Sequence, residues 1–155
     1  MKTNRTAFLD MIAHSELGAG LIAVSDNGYN IVVGSTVSHP ILFNPYTDHP
    51  RRLIKLSASL SSTAAGRYQL LARYYDAYKV SLHLLDFSPD SQDRIAMQQI
   101  TECHALPDID AGRISDAVAK CAHIWASLPG VAYGQHTNKL ADLQTAYLQA
   151  GGILA

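Results

Sequence analysis

Glu16 closes the apolar run of "MIAHSE" and precedes the glycine-bearing stretch "LGAG". A carboxyl so placed can give a proton to a leaving oxygen and then act as a base. That role requires apolar surroundings that keep it protonated at rest. The same position also suits an ordinary solvated acid at a helix end. Negative charge at a helix C-terminus is mildly unfavourable because of the helix dipole, a small push toward a chemical role. A second candidate is "SSTAAGRYQLL", residues 61–71, where small and hydroxylated residues lead through Gly66 into Arg67, Tyr68 and Gln69. Glycine lets a backbone approach a ligand closely. Ser62, Thr63 and Gln69 carry groups that hydrogen-bond a sugar, and Tyr68 can stack on one or buttress the acid. A plain helix N-terminus explains this stretch equally well. The third candidate is "SLPGVAYGQHTNK", residues 127–139, a glycine-flanked loop that carries Tyr133 and Gln135. An aromatic ring beside an amide suits the apolar faces and hydroxyl edges of sugar rings. An ordinary helix–helix connection is the competing explanation.

Other chemistries find little support. The seven histidines, at positions 14, 39, 49, 83, 104, 123 and 136, form no His-Glu-x-x-His run. No paired-cysteine knuckle exists either, so a metal centre is not expected. Gly-x-Ser-x-Gly is absent, and "LGAGLIA" has neither the spacing nor the Lys-Ser/Thr ending of a phosphate loop. A formal net charge of −1 and the lack of any basic run argue against nucleic acid. The two cysteines, Cys103 and Cys121, read as buried thiols on apolar helix faces and not as a disulfide framework. No stretch is long and apolar enough to span a membrane. Asp10 interrupts the first apolar run, which argues against a signal peptide. The expected location is therefore the cytoplasm in which the chain is made.

The elements that must position these residues follow from periodicity and punctuation. A length of 155 residues and a hydrophobic share of 48% suit one domain with a real core. Residues 6–15 show helical spacing through Phe8, Met11 and Ile12, with Glu16 as the end and Gly18 and Gly20 as breakers. Asn27-Gly28 signals a tight turn with positive φ at both positions, and "YNIVVGS" after it predicts a strand. Pro40, Pro45 and Pro50 exclude a long helix or central strand from residues 36–62, and "RRLIKLS" predicts a short strand. Helices are expected over residues 64–84, from Pro89 behind a Ser88 cap, over 113–127 and over 138–150, the last stopped by Gly151-Gly152. The expected class is α+β: an N-terminal helix, a small β lobe and a larger helical lobe, with a cleft between the lobes.

Taken together, "AFLDMIAHSE", "NGYNIVVG", "YTDHPRRL", "STAAGRYQLLARYYDAY", "DFSPDSQDRIAMQQI", "ALPDID" and "IWASLPGVAYGQHTNK" resemble the lambda-type bacteriophage endolysins. These phage lysozymes are peptidoglycan lytic transglycosylases. The resemblance runs over nearly the whole chain and implies one lysozyme-like catalytic domain, residues 1–155, with a glycan cleft. It implies cleavage of the β-1,4 bond between N-acetylmuramic acid and N-acetylglucosamine. It places the catalytic acid at Glu16, and substrate contacts at Ser62, Thr63, Arg67, Tyr68, Gln69, Tyr133 and Gln135. The sequence departs from the family pattern at Leu17, where glycine is usual, at Asn30, where an acid is common, and in a longer "STVSHPILFNPYTDHP" segment.

Most glycosidases use two carboxylates. This chain has one obvious acid, with Asp26 and Asp48 the only nearby candidates for a second, and that scarcity favours a single-acid mechanism. Protonated Glu16 would release the leaving oxygen, then take the proton of the muramic acid 6-hydroxyl as that oxygen attacks the anomeric carbon. No metal or cofactor is required. The alternatives are a hydrolytic muramidase with Asp48 holding a water, a non-catalytic wall-binding module, and a zinc amidase. The resemblance further implies peptidoglycan strands as the partner, access to the periplasm through a phage holin, and a monomer.

Overall fold

The computed structural model describes residues 2–130 and 137–155. Among these the elements run α1 (Asn4–Ala23), β1 (Ile54–Lys55), β2 (Ser61–Ser62), α2 (Ala72–Ser81), α3 (Pro89–Glu102), α4 (Leu106–Asp110), α5 (Ile114–Cys121) and α6 (Leu140–Gln149). This is the expected α+β composition. The chain divides into two compact units, residues 1–16 with 96–155, and residues 17–95. One division falls inside α1, directly after Glu16, and the other inside α3, after Ile95.

In the first unit, α1 opens on a reciprocal cap. Thr3 Oγ1 accepts the Thr6 N–H at 3.3 Å while Thr6 Oγ1 accepts the Thr3 N–H at 2.9 Å. Threonine thereby replaces the usual Glu or Gln of a capping box. Ala7, Phe8, Met11, Ile12 and Ser15 are buried at helical spacing, so one stripe of the helix supplies core. The helix does not end at Glu16 as expected. It is interrupted at Gly18, at φ 75° and ψ 158°, and helical backbone resumes as far as Ala23. Such a φ is cheap only for glycine. The expected helix over residues 113–127 is shorter, ending at Cys121. From there Ile124 and Trp125 turn their N–H groups back to the Cys121 carbonyl at 3.0 and 3.2 Å. Helix α4 was not foreseen. Its Asp108 accepts hydrogen bonds from Arg113 and Lys120, and this holds its carboxyl below the usual range. Helix α6 stops as expected: Gly151 adopts φ 92°, and its N–H donates to Leu148 O at 2.9 Å. Gly152 lies against the buried Tyr147 ring, where a Cβ would meet Cζ at 2.3 Å. Cys103 and Cys121 are buried and free.

In the second unit, Asn27 and Gly28 adopt φ 50° and 86°, the expected turn. The strand expected after it is reduced to isolated bridges, Ile31 to Leu42 and Val32 to Ala65. The prolines downstream give this segment no long partner to pair with. "RRLIKLS" does form β1, paired with β2 as Ile54 to Ser62 and Lys55 to Ser61. The helix expected from residue 64 starts only at Ala72. Residues 65 and 70 instead exchange N–H···O bonds of 3.1 and 2.9 Å across a loop with Gly66 at φ 82° and Gln69 at φ 51°. The core here joins Val32, Phe43, Ala65, Leu70, Tyr75, Leu84, Phe87 and Ile95. The departures from the family pattern are absorbed locally. Leu17 Cδ1 lies 2.6 Å from where a Cβ on Gly28 would stand, so the leucine packs over the bare backbone of a turn whose φ of 86° already favours glycine. Asn30 Oδ1 accepts the Asp26 N–H at 2.9 Å and closes the turn.

His49 is 2% exposed, tilted against Phe87 at 4.9 Å and stacked on Tyr75 at 5.8 Å. Its Nδ1 accepts the Arg51 N–H at 3.0 Å, so Nε2 carries the proton and donates to Leu70 O at 2.8 Å. A second ring proton would displace the Arg51 N–H. Burial foremost pushes its pKa below the ordinary 6.5. The folded state thus binds fewer protons at His49 than the unfolded chain. The stability this provides is complete above pH 6.5 and is lost as the pH falls below it. Urea unfolding at pH 7.5 and pH 5 should show lower stability at pH 5. His49→Gln should narrow that difference, and an unchanged difference would exclude His49 as its source.

Candidate active site

Glu16 occupies the last turn of α1 before the break at Gly18. The helix fixes the backbone, and the neighbouring Ser15, together with two residues distant in sequence, Ser127 and Asn138, shapes the side chain's surroundings. Ser127 Oγ donates to Glu16 Oε1 at 2.6 Å. Ser127 Oγ also lies 2.8 Å from Ser15 Oγ. Asn138 Nδ2 donates to Ser15 Oγ at 3.0 Å, to Ser15 O at 3.0 Å and to Ser127 O at 3.3 Å. Glu16 is half-buried. Loss of hydration raises its pKa, and the Ser127 hydrogen bond opposes the rise without cancelling it. A carboxyl of raised pKa holds its proton at a higher pH and can deliver it as a general acid.

The loop at residues 61–71 contributes differently from residue to residue. Ser62 and Thr63 line a groove of about 440 Å³ together with Leu53, Ser61, Leu71, Ala72 and Arg73. Ser62 Oγ accepts the Ala64 N–H and Thr63 Oγ1 accepts the Ala72 N–H, both at 3.1 Å. Thr63 thereby satisfies the first N–H of α2, and each hydroxyl keeps its own proton to offer. Arg67 and Tyr68 are each 5% exposed. Arg67 Nε donates to Asn27 O at 3.0 Å, and its guanidinium lies over the Tyr29 ring at 5.1 Å. The Tyr68 and Tyr29 hydroxyls both donate to Asp93 Oδ1, at 2.6 and 2.9 Å. Burial, then the Asp93 charge, pushes Tyr29 up to about 12 and Tyr68 well above its ordinary value, so both stay protonated donors. Gln69 Nε2 donates to Gly66 O at 2.9 Å. Arg67, Tyr68 and Gln69 thus have protein partners that shape the loop. Tyr133 and Gln135 lie outside the described residues.

Sequence reasoning missed Ser127, Asn138 and Gln92. Gln92 is 3% exposed and joins three segments. Its Oε1 accepts the Arg67 N–H at 2.9 Å, and Nε2 donates to Tyr29 O at 3.0 Å and Phe87 O at 2.9 Å. No local signal marks such a residue; a polar side chain on the inner stripe of a helix is the only hint. Asp26 and Asp48, weighed as second carboxylates, both have protein donors. Tyr46 donates to Asp26 Oδ2 at 2.6 Å, and Arg51 donates to Asp48 Oδ2 at 2.9 Å and lowers the Asp48 pKa. Among the described residues, no group of three or more His, Cys, Asp or Glu side chains is placed to hold a metal ion.

Among the described residues, a helix-mounted acid stands in a helix-rich α+β chain with a minimal two-stranded sheet, and solved structures identify this fold as lysozyme-like. A solved structure of bacteriophage lambda lysozyme complexed with a chitohexasaccharide superimposes with a TM-score of 0.92 at 48% identity, covering 100% of this chain and 98% of that one. A second lambda lysozyme structure gives a TM-score of 0.87 at 47% identity, with the same coverage. The Endolysin family model matches residues 6–154, and the chain belongs to that family. The endolysin of Escherichia phage lambda is 49% identical over 153 residues, 98% of this chain and 94% of the relative. That of Escherichia phage P2 is 45% identical over 157 residues, 98% of this chain and 95% of the relative.

Gly66 is where the loop is most constrained. A Cβ there would meet Gln92 Oε1 at 2.3 Å, at a φ of 82°. Gly66→Ala should destabilise the protein by about 2 kcal/mol or more, the sum of left-handed strain and a disturbed buried hydrogen-bond set. Denaturant unfolding measures this; a loss below half that value would show that the loop yields without Gln92.

Proposed function

We propose that this peptidoglycan-degrading endolysin is a lytic transglycosylase and that Glu16 is its single catalytic acid and base. The observation that carries the reading is a half-buried carboxyl of raised pKa, mounted on a rigid helix and held by one hydroxyl donor. Protonated Glu16 gives its proton to the oxygen leaving between N-acetylmuramic acid and N-acetylglucosamine. The resulting carboxylate removes the proton of the muramic acid 6-hydroxyl. That oxygen bonds to the anomeric carbon of its own sugar and leaves a 1,6-anhydro end. Attack within one sugar needs no ordered water, and effective molarities for well-oriented intramolecular reactions reach about 10⁵ M or more.

Residues 1–155 act as one catalytic domain. The lambda lysozyme held a chitohexasaccharide, which supports a glycan strand as the ligand of this chain too. Ser62 and Thr63 offer hydroxyls to it, Arg67, Tyr68 and Gln69 complete that loop, and Tyr133 and Gln135 add ring and amide contacts. The enzyme is a monomer, waits in the host cytoplasm, and reaches periplasmic peptidoglycan once a holin has permeabilised the membrane. No helix of the described residues is long and apolar enough to cross a membrane.

Glu16→Gln should fold normally and lose at least about 100-fold in digestion of purified peptidoglycan, the scale of a lost general acid. Activity within a few-fold of wild type would defeat the assignment and leave a wall-binding role. Mass spectrometry of the wild-type digest should find anhydromuramic ends. Reducing muramic ends alone would make the enzyme a hydrolase.

A further inference from the structure

The hydrogen bonds around Glu16 run in one direction. Asn138 Nδ2 faces two carbonyl oxygens, Ser15 O at 3.0 Å and Ser127 O at 3.3 Å. Carbonyls only accept, so the amide nitrogen, not its oxygen, points this way. The same nitrogen donates to Ser15 Oγ at 3.0 Å. Ser15 Oγ is therefore an acceptor from Asn138, and since Ser127 gives its one proton to Glu16, the proton between the two serine hydroxyls, 2.8 Å apart, is that of Ser15. Ser127 in turn spends its proton on Glu16 Oε1 at 2.6 Å. With Asn138 feeding Ser15 and Ser15 feeding Ser127, the Ser127 proton has Glu16 Oε1 as its acceptor, and reversing the serine link would take that proton away from the acid. Chains of this kind polarise along their length and strengthen each member.

We propose that Asn138, Ser15 and Ser127 form a one-way relay of positioning residues that keeps Glu16 Oε1 permanently an acceptor. The acidic proton is thereby confined to Oε2, so one oxygen both gives the proton to the leaving group and later takes one back. Oε1 holds the Ser127 proton in both protonation states, so the carboxyl need not rotate between the two half-reactions. None of the three touches a reacting atom; each acts through Glu16. The inference rests on Glu16 being the catalytic acid.

Ser15 offers the cleanest cut. It is 8% exposed, on the helix that carries Glu16. Alanine there suits the helix and leaves both Glu16 and Ser127 in place. On soluble glycan oligomers of peptidoglycan, Ser15→Ala and Ser127→Ala should lower kcat roughly 10- to 100-fold, the scale of a misplaced catalytic group, with KM little changed. Ser127→Ala also removes the donor that favours the ionised carboxyl. The alkaline limb of its kcat profile should therefore move to higher pH. Ser127→Thr keeps the hydroxyl and should restore both rate and profile. Circular dichroism and thermal midpoints separate these effects from misfolding, since Ser15→Ala should melt at or near the wild-type temperature. If Glu16→Gln is inactive while Ser15→Ala and Ser127→Ala keep wild-type kcat and pH limbs, the relay is overturned and the acid stands. If Glu16→Gln is active, the acid and the relay fall together.

Discussion

A carboxyl group that loses water must be given something in return, and at Glu16 the described residues return one hydroxyl. That imbalance is what the rest of the site serves. Desolvation raises the pKa and the Ser127 hydroxyl offsets part of the rise, so this carboxyl keeps its proton to a higher pH than an exposed one. More donors would make a stable carboxylate and a poor acid. Fewer would leave the side chain without a fixed direction. The Gly18 break belongs to the same arrangement, because it lets the chain leave the helix axis two residues after the acid.

The second unit resolves the opposite problem. Asp93 is an acid that receives two tyrosine hydroxyls, with Arg67 bonded to one of those tyrosines at 3.2 Å and stacked over both rings. Here hydrogen-bond donors surround the carboxylate, and it serves as structure. Gln92 next to it in sequence gathers the Tyr29, Arg67 and Phe87 backbones. Among the described residues, the two carboxyl groups thus sit in contrasting settings, Glu16 with one hydroxyl donor and Asp93 with two.

What the sequence disclosed is mostly what one turn of chain decides. Asn27-Gly28 took positive φ, Pro89 opened α3, "RRLIKLS" formed a strand, and Gly151 stopped α6. Glu16 stood out as a candidate because a lone acid followed an apolar stripe, and only the resemblance to the endolysins raised it above a solvated helix-end acid. The failures share a cause. Residues 29–35 have strand composition but no long partner, and residues 64–71 have helical composition but a left-handed Gly66 and Gln69 that fold them back on themselves. The hydrogen bond that ties the buried Tyr68 to Asp93 spans 25 residues, a contact no local pattern announces. Ser127 and Asn138 lie 111 residues beyond Glu16 and 123 beyond Ser15, separations over which periodicity carries no information.

Asn138 also has a backbone. Its N–H donates to Ser127 O at 2.9 Å, and its side chain reaches the same carbonyl, so two positions 11 apart in sequence are clasped together. Both ends of that clasp lead to the acid, since Ser127 donates to Glu16 and Asn138 donates to Ser15 beside it. A single pair of positions thus anchors the carboxyl's hydroxyl donor in place before any substrate arrives, and the cost of ordering that donor is met by folding and not by binding.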